Sequence, residues 1–122
     1  MSIDHQRLPL YEVKANLFKG LAHPFRIRVL ELLSAAPEVS VAVLQHDTGL
    51  EASHLSQHLT VLRRHRLVES ERRGSHVYYR LTDPAVAELL ATARALLLVL
   101  LEHDGAMLDD ARALPAIGPG SR

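Results

Sequence analysis

The stretch LSQHLTVLRRHRLV (residues 55–68) mixes leucines with hydroxyls, an amide, imidazoles and guanidinium groups. On a helix of 3.6 residues per turn, Leu55, Leu59 and Leu62 stand at i, i+4 and i+7 and make one apolar stripe. Ser53, Ser56, Gln57, Thr60 and Arg64 advance by threes and fours along another face. Short hydroxyls and a carboxamide in such a row can reach the donor and acceptor edges of bases in a DNA major groove, which admits one helix. Arg63, Arg64 and Arg66 at the far end suit phosphate oxygens, which position a protein without reporting sequence. His54, on the same helix, suits a phosphate or base contact better than a metal, although its i, i+4 partner His58 has chelating spacing. Downstream, Arg72-Arg73-Gly74-Ser75-His76 would set further cations beside the duplex backbone. A solvated amphipathic helix followed by a basic hairpin accounts for the charge pattern alone equally well.

The elements around this stretch favour the first reading. Leu10, Val13, Leu17, Phe18 and Leu21 recur at helical spacing and predict a helix over residues 9–22. After His23, Pro24 suits a first helical turn, predicting a second helix over 24–35 that buries Phe25, Ile27, Val29, Leu30 and Leu33. Ser40 is placed to cap a short helix over 41–48, Gly49 to turn the chain, and a fourth helix to run over 52–65. The period then changes to alternation: VESE (68–71) and HVYYRL (76–81) read as strands joined through Gly74-Ser75. Thr82-Asp83-Pro84 starts a fifth helix that runs to about 103 and could extend to 110; the Pro- and Gly-rich residues 111–122 read as a flexible tail to a single 1–110 domain. The expected fold is mainly α with a β-hairpin wing, four helices, two strands and a helix: a winged helix-turn-helix.

Composition sets outer bounds. A chain of 122 residues, 48% hydrophobic and 23% charged, is one globular domain. With no Cys, disulfides, thiolate metal sites and thiol redox sensing are excluded. The N-terminus lacks the apolar core of a signal peptide and no apolar run approaches a membrane span, so a cytoplasmic protein is expected. The net charge of zero hides a gradient: residues 51–80 hold six Arg against three Glu, and residues 81–122 hold three Arg against six acids. A localised basic field is what a polyanion-binding surface requires. No catalytic constellation is evident, and His54-x-x-x-His58 lacks the adjacent glutamate of a zinc hydrolase, so no enzyme is expected.

LAHPFRIRVLELL followed by GLEASHLSQHLTVLRRHRLVESERRGSHVYYRL resembles the ArsR/SmtB family of bacterial dimeric winged-helix repressors over about residues 10–103. The family's Leu-Ala-x-Pro-x-Arg signature is matched by Leu21, Ala22, Pro24 and Arg26, and its Ser-x-x-Ser-x-x-Leu recognition helix by Ser53, Ser56 and Leu59. The resemblance implies Ser53, Ser56 and Gln57 as base readers, Arg72, Arg73 and Gly74 as the wing, and Tyr79 as a packed strand residue. It also implies a homodimer, and Leu96 to Leu101 leave the last helix without a polar face. Leu10, Leu89, Leu96, Leu97 and Leu100 are the expected interface residues, presenting two recognition helices to an inverted-repeat operator of double-stranded DNA.

Both metal sites common in such proteins are altered here. Val39, Ser40, Val41 and Ala42 stand where a cysteine pair would, and of the ligands at the last helix only Asp83 remains, with Ala85 in the histidine position. Among eight histidines, His5 and His103 are flanked by Asp4 and by Glu102 and Asp104. The resemblance brings the N-terminal segment near the last helix across the dimer, so these five residues are the candidate nitrogen/oxygen site for a borderline divalent metal, Ni(II) first. Two solvated terminal histidines account for the same residues. Two rivals stay open: a metal-independent regulator switched by a co-regulator protein, and a winged-helix module that binds only protein.

Overall fold

The computed structural model describes residues 8–102. Its elements follow the expected order: α1 (Leu10–Leu21), α2 (Pro24–Ser34), β1 (Val39–Ser40), α3 (Val41–Thr48), α4 (Ala52–Arg64), β2 (Val68–Arg73), β3 (His76–Leu81) and α5 (Ala85–Leu101). Each boundary has a local cause. His23 caps α2, its Nδ1 accepting from the Phe25 N–H at 3.1 Å, with Pro24 supplying a helical φ. The Ser40 hydroxyl accepts from the Val43 N–H at 3.2 Å to start α3, and Gly49 ends it at φ 73°, a left-handed conformation that costs glycine little. Asp83 opens α5, its carboxylate accepting from the Ala85 N–H at 2.8 Å.

Helices α2 to α5 and the sheet share one core. Val29, Leu30, Leu32 and Leu33 of α2 meet Leu44 of α3, Leu55, Leu59 and Leu62 of α4, Val68 and Tyr79 of the sheet, and Val86 and Leu90 of α5. The leucine stripe of α4 is the most complete part of this layer, with Leu55 at 1%, Leu59 at 3% and Leu62 at 0% exposure. Phe25 departs from expectation. It is 41% exposed and stacks beside His23, with its ring 6.0 Å from that of His58 on α4, rather than entering the core.

The wing is a three-stranded antiparallel sheet rather than a lone hairpin. β2 and β3 pair from Val68↔Leu81 to Arg73↔His76 around Gly74, which has φ 63°. β1 adds Val39↔Tyr79 and Ser40↔Tyr78 on the other edge of β3. Two residues are too few to leave an alternating pattern, so β1 becomes visible only once β3 is there to pair with it. It ties the entry of α3 to the wing.

α1 approaches α4 at Gly20, where a Cβ would lie 2.6 Å from Cγ of His65. His65 therefore packs against α1. Gly20→Ala should destabilise the protein by about 1–3 kcal/mol through this overlap. Urea denaturation checks it, and an unchanged midpoint would mean that α1 is not seated on α4 at this point.

Candidate nucleic-acid interface

The α4 side chains proposed for DNA contact are all solvent-accessible. Ser53, His54, Ser56, Gln57, Thr60, Arg63 and Arg64 are exposed, while the leucines on the opposite side of the same helix are buried. Core packing thus fixes the rotation of α4 and turns the Ser/Gln/Thr row outward, a direct consequence of 3.6-residue periodicity. The Thr60 hydroxyl donates to the Ser56 carbonyl at 2.8 Å, which leaves its lone pairs as acceptors toward solvent.

The basic residues separate into two groups. Among the described residues, Arg64, Arg66 and Arg72 have no ion-pair partner. Arg63 leans back toward the sheet, with Nη1 3.5 Å from the Tyr79 hydroxyl. Arg66 sits just past the end of α4 at φ 61°, a left-handed conformation that costs a non-glycine residue on the order of 1 kcal/mol. The Leu67 N–H bonds to the Leu62 carbonyl at 3.0 Å, and the Arg66 carbonyl accepts from the Thr82 hydroxyl at 2.8 Å, so the turn holding this cation is bonded from both sides.

Arg73 and Arg80 are instead neutralised by the protein itself. The Arg73 guanidinium is hydrogen-bonded to Glu38, lies 4.0 Å from Glu71, and covers the Tyr78 ring at 3.9 Å. The bond to Glu38 raises its pKa further above the ordinary arginine value. Arg80 bonds to Glu69 at 2.8 Å and to Glu71 at 3.2 Å. The excess of arginine counted over residues 51–80 is therefore concentrated at the exit of α4 and on Arg72, not spread along the wing. Glu38 lies 35 positions from Arg73, and no local pattern points to it. Ser75 and His76 are exposed at the tip, with the His76 ring 6.4 Å from that of Tyr78.

His58 turns away from the polar row and is half-buried, its ring 4.4 Å from that of His23 and 6.0 Å from that of Phe25. Burial, followed by the nearby His23, Arg26 and His54, holds its pKa below the ordinary 6.5. In the unfolded chain His58 takes up its proton more readily, so its contribution to stability is complete above about pH 6.5 and declines as the pH falls through that value. The thermal midpoint should therefore drop between about pH 7.5 and about pH 5.5, and drop less in His58→Gln. An equal drop in both proteins would place the acid sensitivity elsewhere.

Among the described residues there is no group of three or more His, Cys, Asp or Glu able to hold a metal ion. Of the proposed metal-site residues, Asp4, His5, His103 and Asp104 lie outside the described residues, as does the tail 111–122; Glu102 is exposed at the end of α5. His46 is exposed, with Nδ1 3.1 Å from Asp47. Of the proposed interface leucines, Leu10, Leu96, Leu97 and Leu100 are at least half exposed and Leu89 is partly buried; Tyr11, Phe18 and Val99 are exposed beside them. No described helix is long and apolar enough to cross a membrane.

No family model matches the chain. It is 49% identical over 105 residues to the HTH-type transcriptional regulator Rv0081 of Mycobacterium tuberculosis, covering 86% of this chain and 92% of that one. The crystal structure of Rv0081 superposes with a TM-score of 0.72, covering 79% of this chain and 96% of that chain. The homodimeric winged helix-turn-helix domain of a possible ArsR-family regulator from Mycobacterium bovis is 33% identical, with a TM-score of 0.70, over 77% of this chain and 86% of that one. The transcriptional repressor BigR of Xylella fastidiosa is 32% identical, with a TM-score of 0.66, over 79% of this chain and 95% of that one. These relatives are named as regulators and not as enzymes. With a helix-turn-helix rotated by its leucine stripe, a three-stranded wing and identities of this size over most of its length, the chain belongs to the ArsR/SmtB family of winged helix-turn-helix transcriptional regulators.

Proposed function

We propose that the protein is a homodimeric, sequence-specific DNA-binding repressor. The observation that carries this reading is the exposed row of Ser53, Ser56, Gln57, Thr60 and Arg64, held outward by three buried leucines on the same helix. In this reading Ser53, Ser56 and Gln57 contact base edges, and Arg64, Arg66 and Arg72 contact phosphates. Pairing through the exposed apolar residues of α1 and α5 would set two such helices about 34 Å apart, one turn of duplex, on an inverted repeat. The M. bovis relative is homodimeric and BigR is a repressor, which supports both parts.

Footprinting on the DNA upstream of the coding sequence, at stated salt, tests it. Two protected half-sites one helical turn apart are expected. Uniform protection with no preferred site, or none at all, would leave the polar row without a DNA role and favour a protein-binding module. For the effector we propose a borderline divalent metal, nickel first, held by His5 and His103 with Asp4, Glu102 or Asp104; the carboxylates that flank both histidines in the sequence support it. Calorimetric titration of Ni(II) into wild type and the His5→Ala/His103→Ala variant separates it from control by a co-regulator protein, since equal heats in both proteins would remove the metal.

A further inference from the structure

A groove of about 490 Å³ runs between α2 and α5, within the usual size range of small-molecule sites. Its walls are largely apolar, with Ile27 on α2 facing Leu90, Leu97 and Leu98 on α5. Three charged side chains interrupt them. Arg28 and Glu31, one helical turn apart on α2, pair at 3.4 Å and are both mostly covered, at 22% and 28% exposure. Arg94 on α5 is partly buried and has neither a hydrogen bond nor an ion pair to any described residue. Among the described residues that line the groove, the pair on α2 cancels and one net positive charge remains, carried by a guanidinium set among leucines. A guanidinium screened from water on its apolar sides gains most from a carboxylate, which it can hold through two parallel N–H donors.

We infer that this groove binds a small apolar monocarboxylate, its head on Arg94 and its hydrocarbon body along Ile27 and Leu97. The groove adjoins the seam proposed for dimerisation and shares Leu97 with it, but most of its wall on α5 lies on another side of the helix. With about 100° between successive residues, Leu90, Arg94, Leu97 and Leu101 lie on one side of α5, and Leu96, Val99 and Leu100 lie roughly 130° around it. The bound acid would therefore touch both α2, which packs against the helix-turn-helix in the shared core, and the helix that carries the seam. A ligand that favoured one spacing of α2 and α5 would change the relative placement of the two recognition helices. That consequence rests on the regulator reading; the binding itself does not.

Octanoate serves as the probe, with octanol and acetate as controls for tail and head, titrated into the full chain and followed by amide and methyl NMR shifts. Octanoate should bind with shifts centred on Ile27, Leu90 and Leu97. Octanol should bind roughly ten- to a hundredfold more weakly, the worth of a charge-assisted bond, and acetate on the order of a thousandfold more weakly, the worth of about six buried methylenes. Arg94→Gln should reduce octanoate to the level of octanol. Ala93→Phe, which fills the groove and leaves Arg94 in place, should abolish binding of both. Either variant must keep the wild-type amide spectrum away from the groove.

The site is overturned if octanoate does not bind, or if Arg94→Gln binds it unchanged. It is also overturned if a second copy fills the groove, in which case octanoate affinity falls as protein concentration rises and Arg94→Gln alters self-association. Repeating the footprint with octanoate separates this inference from the reading beneath it. A protein that binds octanoate but no DNA loses the regulator reading and keeps the site. One that binds DNA but not octanoate loses the site alone.

Discussion

Leu96→Glu combined with Leu100→Glu is expected to give a folded monomer whose affinity for its operator is lower by roughly two to four orders of magnitude. Leu96 and Leu100 are 55% and 56% exposed on a helix whose anchoring residues, Val86 and Leu90, are buried at 8% and 7%. The substitutions therefore remove little of the protomer's own packing, and the melting transition should stay near that of wild type. At a two-fold interface each substitution occurs twice, so four carboxylates would face one another in an apolar seam. DNA binding falls with dimerisation because the second recognition helix is no longer held near the second half-site. Its local concentration, in the millimolar range when tethered, is lost together with its contacts. Sedimentation velocity and gel shift at fixed salt measure the two effects on the same preparations. A dimer that survives with wild-type affinity would place the interface away from α5.

Ser56→Ala combined with Gln57→Ala is expected to weaken operator binding by roughly two to three orders of magnitude while leaving binding to unrelated DNA unchanged. Neither side chain anchors the fold: both are exposed, and the Ser56 group that Thr60 uses is the backbone carbonyl. Stability should change by no more than about 0.5 kcal/mol. Arg64→Ala should behave in the opposite way. It removes one phosphate contact per protomer, so affinity should fall on operator and unrelated DNA alike, and the slope of log K against log salt should flatten by about 2 per dimer. Competition gel shifts over a salt series separate the two variants. If the Ser56/Gln57 variant lost both kinds of binding equally, the α4 row would hold DNA without reading it.

The charge pattern warns against treating every arginine near the wing as a DNA contact. Arg72 and Arg73 are neighbours of the same type, yet Arg73 is bound by Glu38 and lies over Tyr78, whereas Arg72 has no ion-pair partner among the described residues. A phosphate would have to compete with Glu38 for Arg73. It would find Arg72 already available.

The features legible along the chain are those that local spacing controls. The cap at Ser40, the turn at Gly49, the proline that opens α2 and the leucine stripe of α4 each involve residues within one or two helical turns, and each is where the pattern placed it. The outward face of α4 follows from that stripe, so the polar row was legible for the same reason. Tertiary structure alone decided the contacts between residues far apart in the chain: Glu38 with Arg73, β1 on β3, Gly20 beneath His65, and the His23–Phe25–His58 cluster that keeps Phe25 out of the core. Such pairs leave no periodic signal, because their partners are set by how whole helices and strands pack, and that packing is fixed only when the shared leucine core closes.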